Sequence, residues 1–213
     1  MKIRTERRTG RPREVRADRA ILDATVALMG VRGVDDLRMD EVADRAGVGK
    51  ATIYRRYRSK DELVTAAVAA LVGEIVVPDT GSTEVDLLTL MRDAVRVYAG
   101  TSAAQAMPSL VAGMHRDPEL ARAIRDGFLA VRRAALAEVL KRGIERGDLS
   151  SDIELELALD VLAGPLFYRL LVTGGPIDDA LAHGVVDLLL RGFAPSAGDI
   201  HRASPKVGKE TSS

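Results

Sequence analysis

A chain of 213 residues with 46% hydrophobic and 29% charged residues has enough apolar material for a packed core and excludes disorder along its whole length. No Cys is present, which removes disulfides, thiolate metal sites and Cys nucleophiles; three His without H-E-x-x-H spacing argue against a zinc hydrolase, and 3% aromatics with no Trp leave no stacking platform. The formal net charge of +0 conceals an asymmetry: residues 1–60 hold 16 Lys and Arg against 9 Asp and Glu, a net of +7, and residues 61–213 hold the other 15 against 22, a net of −7. A basic amino-terminal third on an acidic body suits a polyanionic partner.

Residues 1–14 read as a flexible basic arm in which Lys2, Arg4, Arg7, Arg8, Arg11 and Arg13 face only Glu6 and Glu14. Within it, Gly10-Arg11-Pro12-Arg13 has the make-up of a minor-groove hook: Pro stiffens an extended arm, and Arg11 and Arg13 seek the negative potential of a narrow groove. The segment is polar, unlike a secretory signal, and the apolar stretch near Leu162 is bounded by Asp160 and Arg169, too short to span a bilayer. A cytoplasmic chain with no membrane partner is expected.

From there the chain reads as all-α. A first helix is expected over 15–32, with Ile21, Leu22, Val26, Leu28 and Met29 on its apolar side and Gly30 and Gly33 at its end. Short helices over 39–46 and 50–57 flank Gly47-Val48-Gly49. The next begins at the N-cap Ser59, with Glu62 completing a capping box and Leu63, Val64, Ala67, Val68, Leu71 and Val72 at helical spacing. Residues 78–83 break the pattern. Further helices are expected over 84–100, 103–115, 119–146, 153–173 and 178–193; Asp117-Pro118 is a start signal, and Gly147 and Gly174-Gly175-Pro176 are stops. Residues 195–213, rich in Ser, Pro, Gly and Lys, read as a disordered tail. The organisation is an arm (1–14), a three-helix domain (15–60), a helical domain (61–194) and the tail.

Residues 33–63 have the layout of a helix-turn-helix. Val42 and Ala46 face inward, Ala43 admits a close helix crossing, Gly47 supplies a positive φ at the turn, Val48 lies beneath it, and Ile53 with Tyr57 anchors the second helix. Lys50, Thr52, Tyr54, Arg55 and Arg56 then point outward from a rod that fits a major groove. A phosphate-binding loop at the same place fails, because Asp44 stands where its first Gly belongs and Ala51 fills the Ser/Thr metal-ligand position.

The run Gly47-Val48, Thr52-Ile53-Tyr54 and Tyr57, followed by Ser59-Lys60 and Leu63, resembles the DNA-binding domain of TetR-type transcriptional regulators. The resemblance implies that Tyr54 and Lys60 grip phosphates, and that Lys50, Ala51, Thr52, Arg55 and Arg56 meet base edges or the groove wall. Two positions depart from the pattern: Arg38 stands where the first short helix usually has a Ser or Thr N-cap, and Gly49 replaces the usual Ser. Arg38 is expected to serve as a longer-range phosphate contact.

A two-turn helix buries too little surface for gene-level specificity, so a homodimer with its paired helices about 34–36 Å apart on a palindromic operator is expected. Leu162, Leu166, Phe167 and Leu170 form one stripe, with Gly164 permitting close approach, and Val185, Val186, Leu189 and Leu190 form another. Such stripes suit a dimer seam or a protomer's own core equally. Gly164-Pro165-Leu166-Phe167-Tyr168-Arg169-Leu170-Leu171 resembles the dimerising helix of one TetR subgroup and so implies the seam. Met91, Val95, Tyr98, Met107, Leu110, Met114 and Phe128 suit either core or an adaptable cavity, and the family likeness implies that an unknown small-molecule effector binds there. His115 beside Arg116 reads as a surface or capping group. The function expected is a ligand-responsive repressor with no cofactor, no metal and no catalytic residue; the alternatives are a sequence-neutral architectural DNA binder and an all-helical enzyme.

Overall fold

The computed structural model describes residues 10–72 and 75–193, and every regular element among them is a helix. In chain order these are α1 (Gly10–Arg32), α2 (Met39–Ala46), α3 (Lys50–Arg56), α4 (Lys60–Val72), α5 (Thr83–Tyr98), α6 (Ser102–Arg116), α7 (Pro118–Ile124), α8 (Ala130–Arg146), α9 (Leu155–Tyr168) and α10 (Asp179–Gly192). A π-helical turn, Arg125–Leu129, joins α7 to α8, and a second, Arg169–Thr173, prolongs α9. No described helix is long and apolar enough to cross a membrane.

The start signals act as their chemistry dictates. Asp117 accepts bonds from the Glu119 and Leu120 amides at 2.9 and 3.1 Å, with Pro118 at the first helical position, where its missing N–H costs nothing. Ser59 Oγ accepts from the Glu62 amide at 3.1 Å, while the Glu62 carboxylate takes the Arg58 amide at 2.7 Å, one residue upstream of the expected partner. The first helix departs most from expectation. It begins at Gly10 rather than at residue 15, so Gly10-Arg11-Pro12-Arg13 forms the first turn of α1 and not an extended hook. Pro12 explains the ambiguity: a fixed φ and a missing N–H suit the first turn of a helix as well as an extended arm. The side chains of Arg11 and Arg13, the arm before Gly10 and the tail after Phe193 lie outside the described residues.

The described chain divides into two compact units that do not follow chain order. The first joins the helix-turn-helix segment to residues 97–131, so α1–α4 share one core with α6 and α7. In it Ile21, Val42, Ala43, Ile53, Leu63, Val64 and Ala67 have no exposed surface, and Leu110, Leu120 and Phe128 are nearly as buried. Gly30 lies inside α1 rather than ending it, because α6 crosses there: a Cβ on Gly30 would stand 2.9 Å from Gln105 Cβ. Ser109 on α6 donates to the Met29 carbonyl at 3.1 Å, fastening the same crossing. The second unit, residues 75–96 and 132–193, closes around Leu87, Val139, Leu140, Ala158, Leu162, Ala182 and Leu189.

Candidate nucleic-acid interface

The turn between α2 and α3 is built as the sequence requires. Gly47 takes φ 65° and ψ 33°, a left-handed conformation that costs a residue with Cβ about 1 kcal/mol or more. The Val48 amide then reaches back to the Ala43 carbonyl at 3.0 Å, ending α2 and aiming the chain into α3. Val48 is half-buried, short of the full burial expected. Ile53 is sealed beneath α3, and Tyr57, at its C-cap, is half-buried, with burial raising its phenol pKa above the ordinary value.

With Ile53 turned inward, α3 presents Lys50, Ala51, Tyr54 and Arg55 to solvent, with Thr52 half-exposed beside them. Arg55 has no hydrogen bond or ion pair among the described residues, as befits a side chain waiting for a partner. Arg38 occupies the N-cap of α2 with extended φ and ψ, makes no side-chain cap bond and stays exposed. Lys60 donates one proton to the Asp35 carbonyl at 3.0 Å, and Arg116 pairs with the carboxylate of the same Asp35. An ammonium has three donors, so Lys60 keeps capacity for a phosphate.

Arg56 is corrected by the structure. Its guanidinium lies 2.6 Å from Asp18 on α1, and its side chain keeps only 17% of its exposure. It pins α3 to α1 instead of facing a groove, because the residue after Arg55 falls about 100° around the rod, toward α1. Asp40 is a second carboxylate that sequence reasoning missed. From α2 it accepts Lys50 Nζ at 2.7 Å and the Tyr54 hydroxyl at 3.4 Å. The Lys50 ammonium holds the Asp40 carboxyl below its usual range, and Asp40 in turn raises Lys50. No local spacing links either pair, which only the folded turn brings together.

The other sites divide. Met91 and Val95 belong to the second unit and Tyr98, Met107, Leu110, Met114 and Phe128 to the first; all are buried except Met114, which is half-exposed. Of the expected dimer seam, Leu162, Leu166, Val185, Val186 and Leu189 are each 5% exposed or less, consumed by their own protomer's core. They have no surface left to offer a partner. Gly164 is exposed, and Phe167 and Leu170 are half-exposed.

A short rod anchored by one buried Ile, preceded by a left-handed Gly turn and carrying the cations Lys50 and Arg55 on its outer face, defines a helix-turn-helix DNA-binding regulator. Residues 21–67 match the family described as bacterial regulatory proteins of the tetR type, and residues 77–189 match the Tetracyclin repressor-like C-terminal domain. The chain therefore belongs to the TetR family of transcriptional regulators. It is 32% identical to the HTH-type transcriptional regulator YdeS of Bacillus subtilis over 185 residues, 86% of this chain and 91% of that one. It is 34% identical to the DNA-binding transcriptional repressor TetR of Mycobacteroides abscessus over 175 residues, 80% of this chain and 90% of that one. Among solved structures it resembles the TetR family regulator SCO0332, with 32% identity, a TM-score of 0.62, and coverage of 84% of this chain and 99% of the other.

Proposed function

We propose that the protein is a homodimeric repressor that binds a palindromic operator through α3 and is released by a small-molecule effector. The observation that carries it is the sorting of α3: Ile53 wholly buried, Lys50, Tyr54 and Arg55 outward. Arg55 is the base reader, since a free guanidinium on a rod of this width suits bidentate contact with guanine O6 and N7. Lys50 and Tyr54 line the groove wall, and Arg38 and Lys60 take phosphates. The chain performs no catalysis in this reading; its relatives are named as regulators.

The dimer face proposed is the outer side of α9 and α10. Leu157, Gly164, Tyr168, Leu171 and Val172 recur at helical spacing along α9 and its π turn, and Leu188 lies on α10; Tyr168, Val172 and Leu188 keep 59%, 69% and 65% of their surface. An apolar stripe of this kind on a soluble regulator is suited to a second copy meeting it across a two-fold axis. The effector acts by population shift, favouring a dimer whose two α3 rods no longer match successive grooves.

The test is a duplex selected from random sequence by the full chain. A palindromic consensus bound by two protomers, with a large preference over a scrambled duplex, supports the reading. Equal affinity for both duplexes supports the architectural alternative. A compound library screened for loss of binding then identifies the effector class.

A further inference from the structure

Resting on the reading of Lys60 as a phosphate contact, we infer that Arg116, at the end of α6, is a positioning residue for that contact: it occupies the Asp35 carboxylate, so that the Lys60 ammonium beside it keeps its charge for DNA. Asp35 lies in the loop between α1 and α2 and offers Lys60 two acceptors, a main-chain carbonyl and a carboxylate. The carboxylate is the stronger, because a bond between two ionised groups is roughly twice as strong as a neutral one. Lys60 Nζ nevertheless donates to the carbonyl, at 3.0 Å, and among the described residues it forms no ion pair. The carboxylate is taken instead by the Arg116 guanidinium. Without Arg116, the ammonium would stand one side-chain rotation away from an unpaired anion on the residue that already holds it.

The packing of α6 delivers Arg116 to this place. Ser109, Gly113 and Arg116 recur at helical spacing along one face, and each meets the stretch that leads into α2. Ser109 donates to the Met29 carbonyl at 3.1 Å. Gly113 is buried, and the Val34 Cβ lies 3.5 Å from where a Cβ on Gly113 would stand. Arg116 then pairs with Asp35, the next residue along. The pair is exposed on both sides, so it contributes little to stability, and its consequence is for the neighbouring ammonium. That consequence bears on affinity and not on sequence choice, because a phosphate carries no sequence information.

The experiment is a variant cycle in the full chain, read as affinity for the selected duplex across a potassium chloride series. Lys60→Met alone should weaken binding and flatten the log–log salt slope by about 0.9 for each half-site. If it changes neither, the reading of Lys60 fails and the inference falls with it. Arg116→Met keeps most of the apolar stem and removes the charge. In the presence of Lys60 it should weaken binding about two- to fivefold more for each half-site than it does in a Lys60→Met background, the cost of drawing an ammonium out of an exposed ion pair. Adding Asp35→Asn to Arg116→Met should return affinity to within about twofold of the wild type, although the Arg116–Asp35 pair is then absent altogether. An equal loss with and without Lys60 means that Arg116 acts through its own charge. Failure of Asp35→Asn to restore binding means that the pair only fastens the loop. Either result overturns the inference, and with Lys60→Met still impaired it leaves Lys60 on its phosphate.

Discussion

Arg55 and Arg56 are neighbours in the chain, and a scan for basic residues would treat them alike, yet the fold gives them separate duties. Arg55→Ala removes a free guanidinium from the outer face of α3; a bidentate base contact is worth about 1–3 kcal/mol, or about 5- to 150-fold in affinity for each half-site. Because the exposed Arg55 makes no hydrogen bond or ion pair among the described residues, its loss should leave thermal stability unchanged. Arg56→Ala breaks the 2.6 Å pair with Asp18. Asp18 keeps 44% of its side-chain exposure, so solvent screens the pair, and about 0.5–1 kcal/mol is a reasonable coupling. That converts to a fall of about 1–4 °C in Tm for a chain of this length. Without that anchor α3 must be re-ordered on binding, which should cost about two- to fivefold in DNA affinity for each half-site where the whole coupling has to be made good. Asp18→Asn should reproduce both effects, and the double variant should show little beyond either single one. Differential scanning calorimetry with fluorescence anisotropy on the selected duplex measures all four proteins. If Arg56→Ala weakens binding as much as Arg55→Ala at unchanged Tm, and Asp18→Asn is silent, then Arg56 reaches the DNA and the division of labour is wrong.

Three further outcomes are expected. Ile53→Ala empties a fully buried site under the recognition rod and should cost about 2–5 kcal/mol, read as a lowered urea midpoint with DNA affinity lost in parallel. Leu188→Glu, and separately Tyr168→Glu, should convert the dimer to a folded monomer by light scattering, whereas Leu162→Ala should lower Tm and leave the oligomeric state as it was. The Asp148 carboxyl is held below its usual range by the Thr83 hydroxyl, which donates at 2.7 Å, and by Arg146. A lowered folded pKa gives stability that is present above the unfolded value of about 4 and is lost as pH falls through the folded value. Wild-type protein should therefore lose more stability than Asp148→Asn between pH 7 and pH 3, by urea titration at each pH.

What the sequence makes legible is whatever depends on neighbours a few residues apart. The bounds of α2, the left-handed Gly47, the Asp117-Pro118 start and the burial of Ile53 follow from spacing and from backbone chemistry alone. Arg56 with Asp18, Lys50 with Asp40, and Gly30 against Gln105 were not legible, because each joins residues that only the folded unit brings together. The Arg11–Arg13 segment was misjudged for a different reason: Pro12 permits two backbones, and the helix that follows it decides between them.

The dimer stripes carry the most general point. Leu162, Leu166, Val185, Val186 and Leu189 do form apolar stripes at helical spacing, but periodicity identifies a stripe without saying what covers it. Helix α9 resolves this by being apolar on more than one side: Leu159, Leu162 and Leu166 fill the protomer core, while Leu157, Tyr168 and, past the helix end, Leu171 and Val172 remain uncovered. A helix that needs only one cover would alternate polar and apolar faces. One that exceeds its own core's demand for apolar surface has, in the proposed dimer, a second copy to meet the excess. The informative feature is thus the surplus on the outer face, and that surplus became visible only once the inner face had been accounted for.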